Sequence, residues 1–251
     1  MINIYGLIGS HQRNGTSYLI INKLLNQIQK VFMLHNIDVK YTLNYISDLH
    51  IKECRGCCNC FRTGCCVMRD DIDIIKNNIL NCDIFIVISP VYINHITGSL
   101  KNVFDRLAYL THLMPFIGKR GIVLANSSLS GTEETINYLK LILNHLGISV
   151  DYEYKYLGDK FYDSKVAFNV HELNDYALKF KHSNLELDET VKKVFDAYCM
   201  LYSKIAQSTS KIKYCNETIY WKKNHLGKTI SDIYKENIIK MRGDYKIESK
   251  K

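Results

Sequence analysis

The sequence lacks two features that would assign the protein to a membrane or to an export route. It contains no apolar run of the ~18–20 residues that a transmembrane helix needs. Its first residues, MINIYGLIGS, show no basic region followed by an apolar stretch and a small-residue cleavage site. These absences argue against a helical membrane protein and against a secreted one, and they predict a cytoplasmic location.

Common nucleotide-binding and nucleic-acid-binding motifs are also missing. The chain has neither a G-x-G-x-x-G fingerprint nor a P-loop, which makes a dinucleotide or ATP less natural as a resident ligand. The formal net charge is +8, and residues 208–251 contribute eleven Lys and Arg against five Asp and Glu. Because no recognisable motif accompanies this charge, nucleic acid is not expected as a partner. A solvated helical face, an acidic partner protein and the phosphates of a dinucleotide stay open as explanations.

What the chain does have is cysteine. Six of its nine cysteines fall between Cys54 and Cys66, in a chain without a secretion signal. Such a cluster indicates metal or redox chemistry rather than a disulfide scaffold. The spacing is Cys54-x2-Cys57-x2-Cys60-x5-Cys66, with further cysteines at 58 and 65. Closely spaced thiolates suit one compact [4Fe–4S] cluster, while zinc and a reduced thiol loop are the alternatives.

Short apolar segments alternate with amphipathic ones through the first 155 residues or so. The apolar segments predict buried strands at 2–8, 37–43, 84–88, 121–125 and from Ile148 onward. The segments between most of them carry apolar residues at helical spacing. Strands alternating with helices imply a parallel sheet with right-handed crossovers. The sequence therefore predicts an α/β fold, a flavodoxin-like doubly wound five-stranded parallel sheet.

The pattern changes beyond residue 156. Residues 157–184 have little clear periodicity, and two helical stripes follow, from Leu187 to Ile205 and from Leu226 to Ile238. We therefore expect a sheet domain over 1–156, with the cysteine-rich loop 54–66 inserted in it. Residues 157–251 are expected to form a mainly helical, basic extension, packed on the first domain or on a partner subunit.

Three loops leave predicted strand ends, where ligands bind on open parallel sheets. The loop 9–17 is rich in hydroxyls and opens directly into a helix, so it suits a monophosphate. Helix capping by Thr16 or Ser17 is the alternative explanation of those hydroxyls. The loop 89–95 offers a rigid turn and an aromatic ring for a flat heterocycle, and the loop 126–131 offers small side chains.

Taken together, these motifs resemble the NADPH-dependent FMN reductase-like branch of the flavodoxin superfamily, and within it the iron–sulfur flavoproteins. The resemblance covers roughly residues 1–155. The residues that carry it are Gly9-Ser10, Asn14-Gly15-Thr16-Ser17, Ser89-Pro90-Val91-Tyr92, Lys101 with Asp105-Arg106-Leu107, and the stretch from Cys54 to Asp71.

The resemblance implies FMN and [4Fe–4S] sites. It places the FMN phosphate on Ser10, Asn14, Thr16 and Ser17. The chain has Gln12 where the family commonly has Arg, with Arg13 as the alternative contact. The isoalloxazine would lie along Pro90, Val91, Tyr92, Ile93 and Asn94, with Ser127 and Gly131 on its other side. The cluster ligands would be Cys54, Cys57, Cys60 and Cys66, with Cys65 as the alternative to Cys66.

The function implied is an FMN-dependent oxidoreductase. It would pass electrons from NAD(P)H or a reduced carrier to an acceptor that the sequence does not identify, and its subunits would form a dimer or tetramer. The alternatives are a cluster-free NAD(P)H-dependent quinone, nitro or azo reductase and a non-catalytic electron carrier. No catalytic side chain is expected, because the flavin carries the chemistry. His95 and His112 are interpreted as structural or surface residues, and Trp221 is interpreted as buried. Lys101, Asp105 and Arg106 are expected to pair with each other or to cap a neighbouring element.

Overall fold

The computed structural model describes residues 1–158, 168–207 and 215–241. Its strands are β1 (Ile2–Ile8), β2 (Val39–Tyr45), β3 (Ile84–Pro90), β4 (Arg120–Ser127) and β5 (Ser149–Leu157). Its helices are α1 (Thr16–Leu34), α2 (Asn59–Thr63), α3 (Ile72–Asn81), α4 (Gly98–Thr111), α5 (Thr132–His145), α6 (Val170–His182), α7 (Glu189–Gln207), α8 (Cys215–Asn224) and α9 (Ile230–Met241).

The five strands form one parallel sheet in the order β2-β1-β3-β4-β5. This confirms the predicted doubly wound fold. The strand order reverses between β1 and β3, which makes the carboxyl ends of these strands the switch point where ligands bind in such sheets. Most residues of β1, β3 and β4 are buried, as expected for central strands covered on both faces.

Two helical layers cover the sheet. On one face, α3, α4 and α5 pack on alternate strand residues such as Leu7, Val87 and Val123. On the other face, α1 packs on Ile8, Ile86 and their neighbours, joined there by residues of α6. The central strands β1, β3 and β4 thus contribute successive side chains to opposite layers, which is why their segments are almost continuously apolar.

The second strand begins two residues later than the sequence predicted. The predicted strand started at Ile37, but the Ile37 amide donates to the Phe32 carbonyl and so closes the C-terminal turn of α1. Asn36 adopts the left-handed conformation between them, with φ 59°. This is a common way of ending a helix, and it leaves the ladder with β1 to begin at Val39.

The extension packs on the sheet domain of the same chain. The segment 157–184 contains α6, a helix that the sequence analysis missed, and its Leu173, Tyr176 and Ala177 are buried against α1. Its start was signalled by Asn169, whose side chain accepts from the amides of His171 and Glu172.

Trp221 of α8 is buried in a cluster that it forms with residues of α7 and α9. This cluster also contains Met114 and Ile117, which lie between α4 and β4. The burial predicted for Trp221 is confirmed, while the side chain of Ile238 lies outside the described residues. Over the described ranges, none of the helices is both long enough and apolar enough to cross a membrane.

Candidate functional site

The three predicted loops meet at the carboxyl edge of the sheet. Thr97, which precedes α4, donates its hydroxyl to the Gly9 carbonyl at 2.7 Å. Ser17, in the first turn of α1, donates to Asn126 Oδ1 at 2.7 Å, and both of these side chains are buried. The loops that follow β1, β3 and β4 are therefore joined by short polar contacts. Thr97 was not singled out from the sequence, although a Thr before a helix is a typical N-cap.

The first loop presents an uncapped helix end. Gly15 is the N-cap of α1, and no described side chain accepts a hydrogen bond from the first turn. The alternative interpretation, capping by Thr16 or Ser17, is therefore wrong. The buried Ser10 hydroxyl accepts from the Gln12 amide at 3.1 Å. A helix N-terminus without a side-chain cap retains amide donors and a positive dipole end, which suits an anion.

The remaining predicted phosphate residues lie on the exposed side of this loop. Asn14 is in the left-handed conformation, with φ 55°, and Gln12 packs over Gly15. Arg13, the alternative phosphate contact, instead pairs with Asp48 at 2.5 Å and lies over the Tyr45 ring. The structure thus groups the predicted serines, Thr16, Asn14 and Gln12 at one helix end and directs Arg13 toward β2.

The second loop is a tight turn that projects apolar side chains into solvent. Tyr92 and His95 form a short antiparallel bridge around Ile93 and Asn94, both with positive φ. A β-branched residue in that conformation is strained. Ile93 is 99% exposed and Tyr92 is 61% exposed. Residues 90–94 therefore offer an exposed apolar wall beside the first loop, as a planar ligand would require. His95 lies against the Tyr138 ring, with centroids 4.2 Å apart.

The third loop packs directly on the second. Gly131, with φ 82°, lies so close to the turn that an added Cβ would stand 2.6 Å from the Cα of Asn94 and 2.7 Å from Val91. Ser130 donates to Asn94 Oδ1, and the Ser127 hydroxyl accepts from the amides of its own turn. Ser127 and Gly131 therefore shape and support the same wall that Val91 and Asn94 form.

The four predicted cluster cysteines line one pocket of about 300 Å³. Cys54, Cys57, Cys60 and Cys66 all line this pocket, together with Cys58 and Arg106, whereas Cys65 is not among its lining residues. Burial, reinforced by the nearby Cys66 and Cys54 side chains, raises the pKa of the Cys60 thiol. The electrostatic coupling of these three thiols is consistent with their placement around one pocket.

Helix α4 fastens both ends of the cysteine loop. Asn102 Nδ2 donates to the carbonyls of Ile51 and Lys52, and its Oδ1 accepts from the Cys54 amide. One turn later, Arg106 forms a bidentate ion pair with Asp70, at 2.6 and 3.0 Å, and both side chains are fully buried. Residues four apart lie on one face of a helix, so a single face of α4 anchors the loop.

The Arg106–Asp70 pair changes the ionisation of both partners. Burial opposes the charged form of Asp70, but hydrogen bonds from Arg106 and two backbone amides outweigh it, so the pKa of Asp70 falls below its ordinary value. Burial likewise opposes the charge on Arg106. Its hydrogen bonds to Asp70 and the neighbouring Asp70 and Cys66 side chains raise its pKa nonetheless. Of the other α4 residues noted in the sequence, Lys101 pairs with Asp105, which agrees with the structural role expected for them.

The pocket fits a thiolate-bound group in donor chemistry. Five cysteine side chains, the four predicted ligands and Cys58, line it together with the buried guanidinium of Arg106. The Nε atom of Arg106 is buried without a hydrogen-bond partner in the described structure. Within the same residues, however, no three His, Cys, Asp or Glu side chains converge as a single metal ion requires. The thiols therefore share a pocket without forming a closed single-ion site.

Helix α8 of the extension packs against the cysteine loop. An added Cβ at Gly64, at the end of α2, would lie 2.8 Å from Asn216 of α8. The Phe61 ring lies 5.0 Å from His112, whose Nδ1 is 2.9 Å from the buried Glu217 of α8. His112 also accepts a hydrogen bond from Trp221 through its carbonyl. His112 thus has the structural role that was expected, because it links α4 to the cysteine loop and to the extension.

Comparison with solved structures finds the same fold in other proteins. The structure of RosB with a bound riboflavin-5'-phosphate intermediate aligns with a TM-score of 0.56 and 13% identity, over 84% of this chain and 90% of that one. The apo form of an NADH:FMN oxidoreductase aligns with a TM-score of 0.52 and 20% identity, over 76% and 94%. At these identities the similarity shows the fold alone.

Sequence comparison is more specific. An iron–sulfur flavoprotein of Archaeoglobus fulgidus is 28% identical over 144 residues, which is 57% of this chain and 63% of that protein, so the match spans less than two thirds of its length. One of Methanosarcina thermophila is 27% identical over 155 residues, 61% of this chain and 75% of that protein. The family described as NADPH-dependent FMN reductase matches residues 2–163. Because this match covers more than half of the sequence, the chain belongs to the NADPH-dependent FMN reductase family.

Proposed function

We propose that the protein is an FMN-dependent oxidoreductase. The observation that carries this proposal is the uncapped N-terminus of α1, which is joined to the exposed turn after β3 through Asn126 of β4. An anion-binding helix end beside an apolar wall suits a phosphate attached to a flat ring system. The family membership and the flavoprotein relatives support the same cofactor.

In this proposal the first loop holds the FMN phosphate and the second supports the ring. Ser10, Asn14, Thr16 and Ser17 would provide hydroxyl, amide and backbone donors, with Gln12 at the rim. Pro90 to Asn94 would lie along the ring, with Ser127 and Gly131 shaping the wall from behind. Bound FMN supplies the exchange between two-electron and one-electron chemistry, so the protein needs to bind, orient and shield rather than provide a nucleophile.

We further propose that the cysteine pocket holds a [4Fe–4S] cluster through Cys54, Cys57, Cys60 and Cys66. Their common pocket supports this, as does the name shared by the curated relatives. Such a cluster supplies one-electron transfer. Electrons would come from NAD(P)H or a reduced carrier and pass to an acceptor still to be identified. The dimer or tetramer and the cytoplasmic location stay predictions.

The test is the absorption spectrum of protein purified without oxygen, with iron, sulfide and zinc analysis. Flavin bands with a broad shoulder near ~400 nm and about four irons per chain support both cofactors. We expect Cys57→Ser to abolish the iron signal while FMN stays bound, and Cys65→Ser, at an exposed cysteine that does not line the pocket, to retain both. A colourless protein that takes up no FMN on reconstitution would refute the flavin assignment.

A cluster-free NAD(P)H-dependent reductase is the second candidate. It is favoured by the exposure of Cys54 and Cys57 and by the lack, in the described ranges, of thiols converging on one point. Flavin without iron or sulfide, combined with turnover of NADH or NADPH and a quinone, nitro or azo acceptor, would select this alternative. Flavin without such turnover would instead identify a non-catalytic carrier.

A further inference from the structure

Arg106 has a buried nitrogen, Nε, that donates no hydrogen bond to the described residues although both of its neighbouring nitrogens do. Its guanidinium is completely buried. Nη1 donates to Asp70 and to the Lys52 carbonyl, both at 2.6 Å, and Nη2 donates to the other Asp70 oxygen. Nε has no hydrogen-bond partner among the described residues, and it is buried. A buried donor without an acceptor is costly, so this nitrogen calls for an explanation.

The unused donor belongs to a side chain that lines the cysteine pocket. Arg106 shares this pocket with Cys54, Cys57, Cys60 and Cys66. Cys66 is also the cysteine whose side chain favours the charged guanidinium and raises the pKa of Arg106, both electrostatically and by hydrogen bonding. A thiol is a weak acceptor, whereas a thiolate or a cluster sulfide accepts N–H donors well. An acceptor for Nε would therefore appear when the pocket holds a thiolate-bound group.

We propose that Arg106 is a positioning residue that sets the reduction potential of the group held in the cysteine pocket. Its Nε donates a hydrogen bond to a sulfur of that group, and its guanidinium places a positive charge, partly offset by Asp70, beside the group. The inference rests on the proposed function, since it requires a thiolate-bound cluster. It goes further because it assigns Arg106 to raising the reduction potential of that group and Asp70 to lowering it.

The direction of the effect follows from charge. Reduction adds one electron, and hence one negative charge, to the group in the pocket. A buried guanidinium and a hydrogen bond to sulfur both favour the more negative state, which raises the reduction potential. The carboxylate of Asp70 offsets part of the guanidinium charge and lowers the potential. The two partners of one ion pair should therefore act in opposite directions.

The test is a redox titration of the iron–sulfur protein, reconstituted without oxygen and monitored by electron paramagnetic resonance, with dithionite donating one electron per cluster. We expect Arg106→Gln to shift the midpoint potential to more negative values, and Arg106→Lys to shift it less because it keeps the charge but loses the Nε donor. Asp70→Asn should shift it to more positive values. Lys140→Gln, in a partly exposed ion pair of α5 that does not line the pocket, should leave it unchanged.

The outcomes separate this inference from the proposed function. Wild-type protein that binds no iron refutes the cluster, and the inference with it. Wild-type protein with a cluster whose potential moves in the same direction in Arg106→Gln and Asp70→Asn, or in neither, overturns the inference alone and leaves the pair as a clamp. If Arg106→Gln or Asp70→Asn fails to retain iron, the comparison of Arg106→Lys with Lys140→Gln decides. Equal midpoint potentials in those two variants overturn the inference.

Discussion

The carboxyl edge of the sheet and the cysteine loop are held in place in different ways. At the edge, short side chains and backbone groups of adjacent strands bond to each other, as in Thr97 to Gly9 and Ser17 to Asn126. The cysteine loop has exposed thiols and is fastened by long side chains from outside it, Asn102 and Arg106. The carboxyl edge, where we propose that FMN binds (the flavin edge), is therefore held rigid by the sheet, whereas the cysteine loop depends on a few side chains and on α8.

The largest expected effect tests which cysteines belong to the pocket. Cys66 lines it, and Cys65 does not. We expect Cys66→Ser to abolish iron binding, with the FMN content unchanged, because the flavin edge is supported separately. Cys65→Ser is the matched control and should retain iron. Iron loss in Cys65→Ser alone would reverse the assignment of the fourth ligand.

Removal of Trp221 should affect the cysteine loop more than the flavin edge. Its ring is fully buried between Tyr202 and His225, and its helix packs on the loop. We expect Trp221→Ala to lower the free energy of unfolding by about 3–5 kcal/mol and to reduce iron retention, measured by urea denaturation and metal analysis. Ile219→Ala, an exposed position on the same helix, is the control. Equal losses of FMN and iron would show that the two regions are held together.

Gly131 tests the flavin edge through its close contact with the turn. Both Gly131 and Gly227 have φ near 82°, so alanine at either position carries the left-handed penalty of about 1–2 kcal/mol. Only at Gly131 would the added Cβ meet Asn94 and Val91; nothing stands within 4 Å at Gly227. We expect Gly131→Ala to weaken FMN binding about tenfold, or ~1.4 kcal/mol, in a fluorescence titration. Unchanged FMN affinity, equal to that of Gly227→Ala, would argue against a ligand on this wall.

The smallest effect concerns a single hydrogen bond across the edge. Ser17→Ala removes the donor to Asn126 Oδ1 between two buried side chains. We expect the free energy of unfolding to fall by about 1 kcal/mol and FMN affinity to fall with it, by denaturation and titration. Ser47→Ala, at an exposed hydroxyl, should change neither. Loss of stability without loss of affinity would limit Ser17 to a structural role.

The sheet and its site loops could be predicted because they depend on local patterns. Runs such as 84–88 are apolar throughout because both faces of a central strand are covered. Their alternation with helical segments predicts a doubly wound parallel sheet. The same holds for the loop 9–17, which follows a buried strand and opens into a helix. The signals that were missed were weaker. Helix α6 has a short apolar stripe behind Asn169, and the beginning of β2 depended on how α1 ends.

The sequence by itself determined the fold class, the three loops and the spacing of the cysteines, because strand periodicity and short motifs are written in consecutive residues. Only the tertiary structure decided that Cys66 rather than Cys65 faces the pocket, that Arg13 turns to Asp48, and that the extension covers its own chain. It also brought Arg106 and Asp70, thirty-six positions apart, into one buried pair. Such contacts arise from the packing of segments that are distant in the sequence, so no local sequence pattern predicts them.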